Sequence, residues 1–501
     1  MVRLKIACAL LFFNIPLFQL NVFANETDGY SSVKLVDSSQ PGFVDDWNVT
    51  NSTSSVNELA EIGGLTFFKD FGKNQHRSFL AFADFSIGRN DSSHTASRGT
   101  SNPATYIGEN GVITLLTNSG VTRYTQGHYD YTGFISYPGL IIEGATTNYH
   151  VRTDGTATSA TTGGTTWTGW ISEFTASTPT YSVVDIPDLT NITNAKSARI
   201  QWSGTGTNNN VKIVSAVTST AEGSFVSNDV VTVSCWMRSQ TGFTGTVPIR
   251  MEIYERDVAN VAQATSLGGD FFSLITTDWK RFERTYTLID PDTTHISIKL
   301  GSQAGVDTGD VIDVEFYGLH VEKLPYATTW VPTSTAALTR NAESLTYEIA
   351  DNRTAATETM FFEFMSFWGA TEPATDNYLT DTDTKKRYIS HDSATNLFTI
   401  LPNATDSPLA SVSATTSITS DVSYVLTGAM QSTGNPNTEV YMNGVSEATD
   451  LDDFTANAWG DTFYVGTSSG GNTFYGILQS AVFYNRVLTS GEVEDVYEIL
   501  T

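Results

Sequence analysis

The residues in this chain best suited to chemistry are aromatic. A saccharide site lays an exposed tryptophan or tyrosine against the apolar face of a pyranose and rings it with Asp, Asn, Gln or Arg groups that bond the hydroxyls. Trp167 and Trp170 fall in the Thr- and Gly-rich stretch 153–180, which reads as an exposed loop or a flat strand, and are expected as platforms. Trp202, Trp236, Tyr254 and Trp279 are further candidates. They stand in segments of strand character, where a tryptophan usually packs inward, so Trp236 and Trp279 read as core first and sugar-facing second.

Carboxylates form the second group. Asp310, Asp313 and Glu315 lie on or beside one strand, with Asp313 and Glu315 on the same face. A solvated face is the plain reading; calcium, which wants several hard oxygens, is the sharper one and the one cofactor the sequence suggests. The seven histidines are scattered, and His128-Tyr129-Asp130 and His391-Asp392 are isolated pairs. There is no G-x-S-x-G, P-loop, dinucleotide fingerprint or H-E-x-x-H. Because triads assemble from distant residues, that absence weighs little against catalysis.

The elements that must position these groups are strands. Ala198–Trp202, Val230–Ser239, Pro248–Glu255, Trp279–Leu288, His295–Leu300 and Val311–Glu322 are strand-like, several alternating with period two, which predicts a sandwich with one face turned in. Near the end, Asn443-Gly444 supplies a tight hairpin turn, since both residues tolerate positive φ. Phe463–Gly466 and Phe474–Tyr484 follow as strands. The period then changes: Ser490 is read as a helix cap, Glu492, Glu494 and Asp495 suit the positive first turn, and Val493, Val496, Tyr497 and Leu500 make one stripe. The fold class expected is all-β, tandem antiparallel β-sandwiches with a short C-terminal helix.

With 501 residues, several domains are expected. A net charge of −27 without a basic cluster disfavours nucleic acid and anionic membrane as partners. Residues 1–24 read as a secretory signal: Arg3 and Lys5, a mostly apolar run, then Val22-Phe23-Ala24. No other segment is apolar enough to cross a bilayer. Cys8 lies in that leader, so Cys235 would remain alone as a buried thiol, with no intrachain disulfide. Asn-x-Ser/Thr sequons recur along the Ser/Thr-rich chain and matter only where glycosylation machinery exists.

Three resemblances add to this. The run from about Asn341 to Thr501, with Asn443-Gly444, Gly476-Ile477, Val482-Phe483-Tyr484-Asn485-Arg486 and Leu488 in order, resembles the end of laminin-G-like (concanavalin A-like) jelly rolls, which implies a two-sheet sandwich used mainly to bind glycans or proteins. The E-x-D-x-x-E strand of glucanases of that fold has no counterpart; the nearest run, Val493 to Glu498, lacks the first acid and reads as helix. Thr105-Tyr106, Asn110-Gly111, Arg123-Tyr124 and Gly139-Leu140-Ile141-Ile142-Glu143-Gly144-Ala145-Thr146-Thr147-Asn148 resemble the opening of phage and prophage tail-associated structural proteins, with Thr146 where that pattern has Arg. The strands from 198 to 335, closed by Ala327-Thr328-Thr329-Trp330-Val331-Pro332-Thr333, resemble carbohydrate-binding jelly rolls attached to xylanases and glucanases.

The division expected is a leader at 1–24, a polar segment at 25–78, a phage-structural module with a carbohydrate-binding-like sandwich at 79–335, and a laminin-G-like jelly roll at 336–501. The function expected is non-catalytic attachment to a polysaccharide or cell-surface glycan by a secreted or virion-surface protein, with a homo-oligomer among the arrangements. Self-assembly into a filament or shell, and polysaccharide cleavage at an unrecognised site, are the alternatives.

Overall fold

The fold comes from a computed structural model that describes residues 20–25, 30–35, 62, 65–70, 75–78, 95–97, 104–107, 113–116 and everything from 123 onward except 152, 154–157, 162–163, 168, 175–177, 187–188, 191–195, 204–208, 216–224, 242–246, 267, 350–352, 370–376, 383–386, 404–410, 435, 457–460 and 470. The chain divides into two units, residues 1–64 with 498–501, and residues 65–497. In the first, Leu20–Asn25 pairs antiparallel with Tyr30–Leu35. Residues 1–19 of the expected leader lie outside the described residues.

Among the described residues, the larger unit holds two sandwiches. In the middle one, a seven-stranded sheet runs in the order Thr158–Thr161, Gly164–Trp167, Thr180–Asp185, Lys196–Ser203, Val311–Glu322, Val230–Arg238, Lys280–Thr287. It faces a five-stranded sheet of Trp170–Phe174, Asn209–Ser215, His295–Val306, Arg250–Arg256 and Ala262–Ser266. Alternation does what period two demands. Ala198, Ile200 and Trp202 meet Val211, Ile213, Met251, Ile253, Ile298 and Leu300 in one core, while Arg199, Lys212, Glu252 and Lys299 turn away from it.

The terminal sandwich follows the same rule. Val445–Asp450, Thr438–Met442, Ser423–Gln431, Thr357–Ser366 and Gly476–Tyr484 make one sheet; Val412–Ser413, Leu397–Leu401, Tyr388–Asp392, Asn377–Thr382, Thr462–Val465 and Ser344–Glu348 make the other. Met360, Phe362, Phe364, Phe398, Ile400, Leu426, Phe463 and Phe483 fill the space between. Strands from earlier in the chain complete both sheets. Leu65–Asp70 and Leu140–Ile142 pair with the two halves of Gly476–Tyr484, and Thr95–Ser97 pairs with Ser344–Thr346. Asn443 and Gly444 adopt φ of 52° and 77°, the left-handed pair that a two-residue hairpin turn needs. The helix spans Ser490–Leu500, with Val493 and Val496 buried. Its cap is Thr489, one residue before the one expected: Thr489 N–H donates to Glu492 Oε2 at 2.8 Å and Glu492 N–H to Thr489 Oγ1 at 3.4 Å, a reciprocal box.

A buried ionic knot fastens the hairpin formed by Arg123–Asp130 and Gly133–Ile142 to the segment linking the sandwiches. Arg123 bonds Glu143 Oε2 at 2.7 Å and Glu343 Oε2 at 2.6 Å, and Arg340 reaches Glu143 Oε2 at 2.8 Å. Burial by itself would raise the Glu143 carboxyl, but Arg340, Arg123 and the two donors of Thr329 hold it at about 2.

Candidate functional site

A cavity of about 360 Å³ opens beside that hairpin. One wall is the hairpin itself, with His128, Tyr129, Asp130 and Tyr131. A second is the edge strand Lys280–Thr287 with Arg281 and Glu283, together with Phe271 and Leu274 around a short helical turn. The third is the terminal sandwich, with Phe367, Ser420 and Asp421.

Local sequence explains how each wall is held. Between Thr125 and Gly127 the ladder slips by one residue, and Gly127 has φ of 152°; a side chain there would run into the backbone of Ile135. Such a bulge re-aims the residues after it, here His128 to Tyr131. Asp130 then pins the turn: its Oδ1 accepts from Thr132 N–H and Oγ1, both at 2.6 Å, and from Gly133 N–H at 3.1 Å. Tyr137 shares a 2.9 Å hydrogen bond with Ser423, tying the hairpin to the loop that carries Asp421. Asp421 sits at φ of 61°, its N–H bonded to Ser366 O at 3.0 Å. An aspartate tolerates the left-handed region better than most residues, yet at a cost that tends to appear where geometry matters.

The cavity pairs apolar rings with acids. Tyr131 is 55% exposed and Leu274 is at the exposed margin, so both form the rim. Tyr129 packs against Phe134, ring centres 5.4 Å apart, and His128 lies 5.6 Å from Phe367. Burial first, then the facing Glu283 and Asp130, push the Asp421 carboxyl up to about 7. Glu283 is raised too: it keeps exposed surface, but its concave surroundings and Asp130 outweigh Arg281 and the Ala327 N–H. His128 is lowered to about 4 by burial, with Asp130 opposing and Arg281 adding. Its Nε2 is buried, makes no hydrogen bond and lies 3.4 Å from Asp421 Oδ1. Near neutral pH, then, the imidazole is uncharged.

The expected platforms are elsewhere. Trp170 and Trp202 are 2% and 3% exposed and point into the middle core, because their strands turn that parity inward. Trp236 is buried, as first read, at 3% exposure; it packs edge-on against Trp330 at 6.1 Å, and the Arg281 guanidinium lies 4.9 Å over the ring. It therefore backs the cavity wall without lining it. Gly318 allows this packing, since a Cβ there would stand 2.6 Å from the indole. Tyr254 faces outward, where it is covered by ions: its hydroxyl donates to Glu252 Oε2 at 3.2 Å and Lys299 Nζ sits 4.0 Å over the ring. Trp279 is half-buried beneath Arg238, 4.4 Å away. The side chain of Trp167 lies outside the described residues.

The expected metal ligands are spoken for. Arg199 grips Asp313 with two 2.7 Å bonds, and Thr241 adds a third. Arg238 donates to Glu315 at 2.8 Å. Asp310 closes a turn by accepting from Asp307 N–H at 2.8 Å. Asp313 and Glu315 do share a face, but arginines on the neighbouring strands occupy the places a cation would take. Among the described residues no three His, Cys, Asp or Glu side chains gather as a metal site.

Residues 330–494 match a family model described as the concanavalin A-like lectin/glucanases superfamily. They form a concanavalin A-like domain. Comparison with curated proteins finds no match. Solved structures similar to the chain include domain 4 of an extracellular arabinanase from Geobacillus stearothermophilus bound to arabinotriose, at 12% identity and TM-score 0.25, covering 35% of this chain and 81% of that one. The binding domain of botulinum neurotoxin DC, in complex with rat synaptotagmin II, matches at 12% identity and TM-score 0.26, over 32% of this chain and 41% of that one. Tailspike protein 4 of bacteriophage CBA120 matches at 12% and 0.23, over 31% and 19%. Similarity at that level bears on neither ligand nor activity. No helix among the described residues is long and apolar enough to cross a membrane.

Proposed function

We propose that the chain is a non-catalytic glycan-binding attachment protein, displayed outside the cell or on a virion surface, and that the cavity is where it holds a polysaccharide or cell-surface glycan. One observation carries this reading: the cavity sets Tyr129, Tyr131, Phe271 and Phe367 around Asp130, Glu283 and Asp421, apolar faces beside hydroxyl acceptors, drawn from three separate parts of the fold. That is the pairing a pyranose presents to its binder. The concanavalin A-like domain at 330–494 supplies one wall and agrees with the reading. A glycan array with the full chain tests it, with Tyr131→Ala as the variant: a bound polysaccharide whose affinity falls about tenfold on removal of the rim ring supports the site. An array on which nothing binds ends the reading.

A second reading is polysaccharide cleavage, favoured by a carboxyl near 7 facing two further acids in a cavity. Release of reducing ends from a bound polymer, abolished in Asp421→Asn, would move the chain to that class.

A further inference from the structure

The charge of the cavity wall is lopsided. Asp130, Glu283 and Asp421 reach it from the hairpin, the edge strand of the middle sandwich and a loop of the terminal sandwich. The cation among the lining residues is Arg281, and its Nη2 is spent on Ser234 Oγ at 2.8 Å and on the carbonyl of Thr328, while its guanidinium stacks over Trp236 behind the wall. His128 is neutral near pH 7, and its Nε2 ends at the wall without a hydrogen bond. Other inward acids of this protein have their partners within the fold: Glu143 has Arg123 and Arg340, Glu358 has Arg353 and Arg387, Asp313 has Arg199, and Glu255 is held by Tyr286, Thr293 and the N–H groups of Ile289 and Asp290. In the cavity the matching positive charge is missing from the protein side, beside rings that suit a sugar.

Resting on the glycan-binding reading, we propose that this cavity selects glycans bearing a protonated amine, such as polymers of glucosamine, over their neutral or acidic counterparts. The ammonium sits among the three carboxylates and the ring faces lie against Tyr129 and Tyr131. Bringing a cation to partly desolvated, mutually repelling carboxylates removes their repulsion and adds attraction in surroundings where charge interactions are screened less than in water. The groups that face Asp421 are His128 and Asp130 from the hairpin and Arg281 and Glu283 from the edge strand; ligand charge therefore acts chiefly on Asp421 and Glu283.

The test uses the full chain and three oligomers of matched length: glucosamine, N-acetylglucosamine, and N-trimethylated glucosamine, whose charge does not titrate. We expect both cationic oligomers to bind at least about tenfold more tightly than the acetylated one. Glu283→Gln and Asp421→Asn should each abolish most of that preference, read as the ratio of the cationic to the acetylated affinity in the same variant, with the melting temperature kept, while Asp452→Asn, a control on an exposed acid, leaves the ratio unchanged. In the wild-type chain, affinity for the trimethylated oligomer should fall as pH is lowered from about 8 to about 6, because Asp421 takes up its proton. Equal affinity for all three overturns the inference and leaves glycan binding standing. A preference that survives in both cavity variants, or that falls equally in Asp452→Asn, overturns it as attraction to the general charge of −27. A flat pH profile overturns it as well. Absence of binding to these oligomers and to a broad glycan array overturns the inference and the function together.

Discussion

The outer face of the five-stranded sheet and the cavity are built from similar ingredients to opposite effect. On the sheet, Lys212 lies between Glu173 at 3.2 Å and Glu252 at 3.5 Å, Lys299 pairs with Glu173 at 2.9 Å, and Tyr254 is capped on its ring and its hydroxyl. Gly301, between Lys212 and Arg250 in register, leaves the room, since a Cβ there would stand 2.7 Å from Lys212 Cα. Charge there is settled within the protein, and the cluster holds the sheet. In the cavity three acids meet one guanidinium, whose Nη2 is already bonded to Ser234 and Thr328. The difference teaches that composition does not mark a site; the state of satisfaction does.

That contrast is best attacked through stability. Lys212→Met strips the cation from a buried carboxylate and should cost about 3 kcal/mol in denaturant unfolding, since breaking one side of a buried pair is far worse than lacking the pair. Adding Glu252→Leu should recover most of it, and a double variant as unstable as the single would refute the account of the sheet. Next in size is Glu322, fully buried, bonded by Thr328 and by Thr146 and 3.6 Å from His320 Nδ1, with no arginine in ion-pair contact among the described residues. Burial lifts its carboxyl to about 7. The folded state thus holds this proton more tightly than the unfolded chain, so stability is greatest at low pH within the window and declines as pH rises from about 4.5 through about 7, by about 3 kcal/mol at most. Glu322→Gln should flatten that slope in a series of thermal melts across this range. Asp421 tilts the same way, more weakly because solvent reaches it.

Smaller still, Tyr131→Ala should lower glycan affinity by about 1–2 kcal/mol while leaving the melt alone, for its ring is already in solvent. A shifted melt would make that ring structural. Last, Asp421→Asn should be neutral or stabilise by less than about 1 kcal/mol, discounted for its partial exposure, because it relieves repulsion. Clear destabilisation would place the cavity in the same class as the sheet and erase the distinction.

How much of this was visible beforehand depends on distance along the chain. Asn443-Gly444, the change of period before Val493, and the alternating runs each carry their meaning within a few residues, and they specified hairpin, helix and sandwich strands. Period two names two faces without saying which is inside. That is why Trp202 and Trp236, on opposite faces of their strands, looked alike, though one fills the core and the other is covered by Trp330 and Arg281. Asp313 and Glu315 shared a face as expected, but Arg199 and Arg238 are set beside them by strand order, which no local pattern encodes. The cavity acids stand at 130, 283 and 421, so only the folded chain brings them together. The local trace of that site was His128-Tyr129-Asp130, followed by the Thr132-Gly133 turn that Asp130 caps.

The strand Gly476–Tyr484 has a consequence for how the molecule comes to exist. One of its edges pairs with Thr357–Ser366, and the other is the resting place of both Leu65–Asp70 and Leu140–Ile142, made long before it. During synthesis those early segments, each paired on one side only by its own hairpin neighbour, must wait with the other side open until the chain has been made as far as Tyr484, and pairings so remote in sequence close slowly. Completion of that sheet therefore waits on the synthesis of Gly476–Tyr484, and the growing chain needs shielding from its neighbours until then.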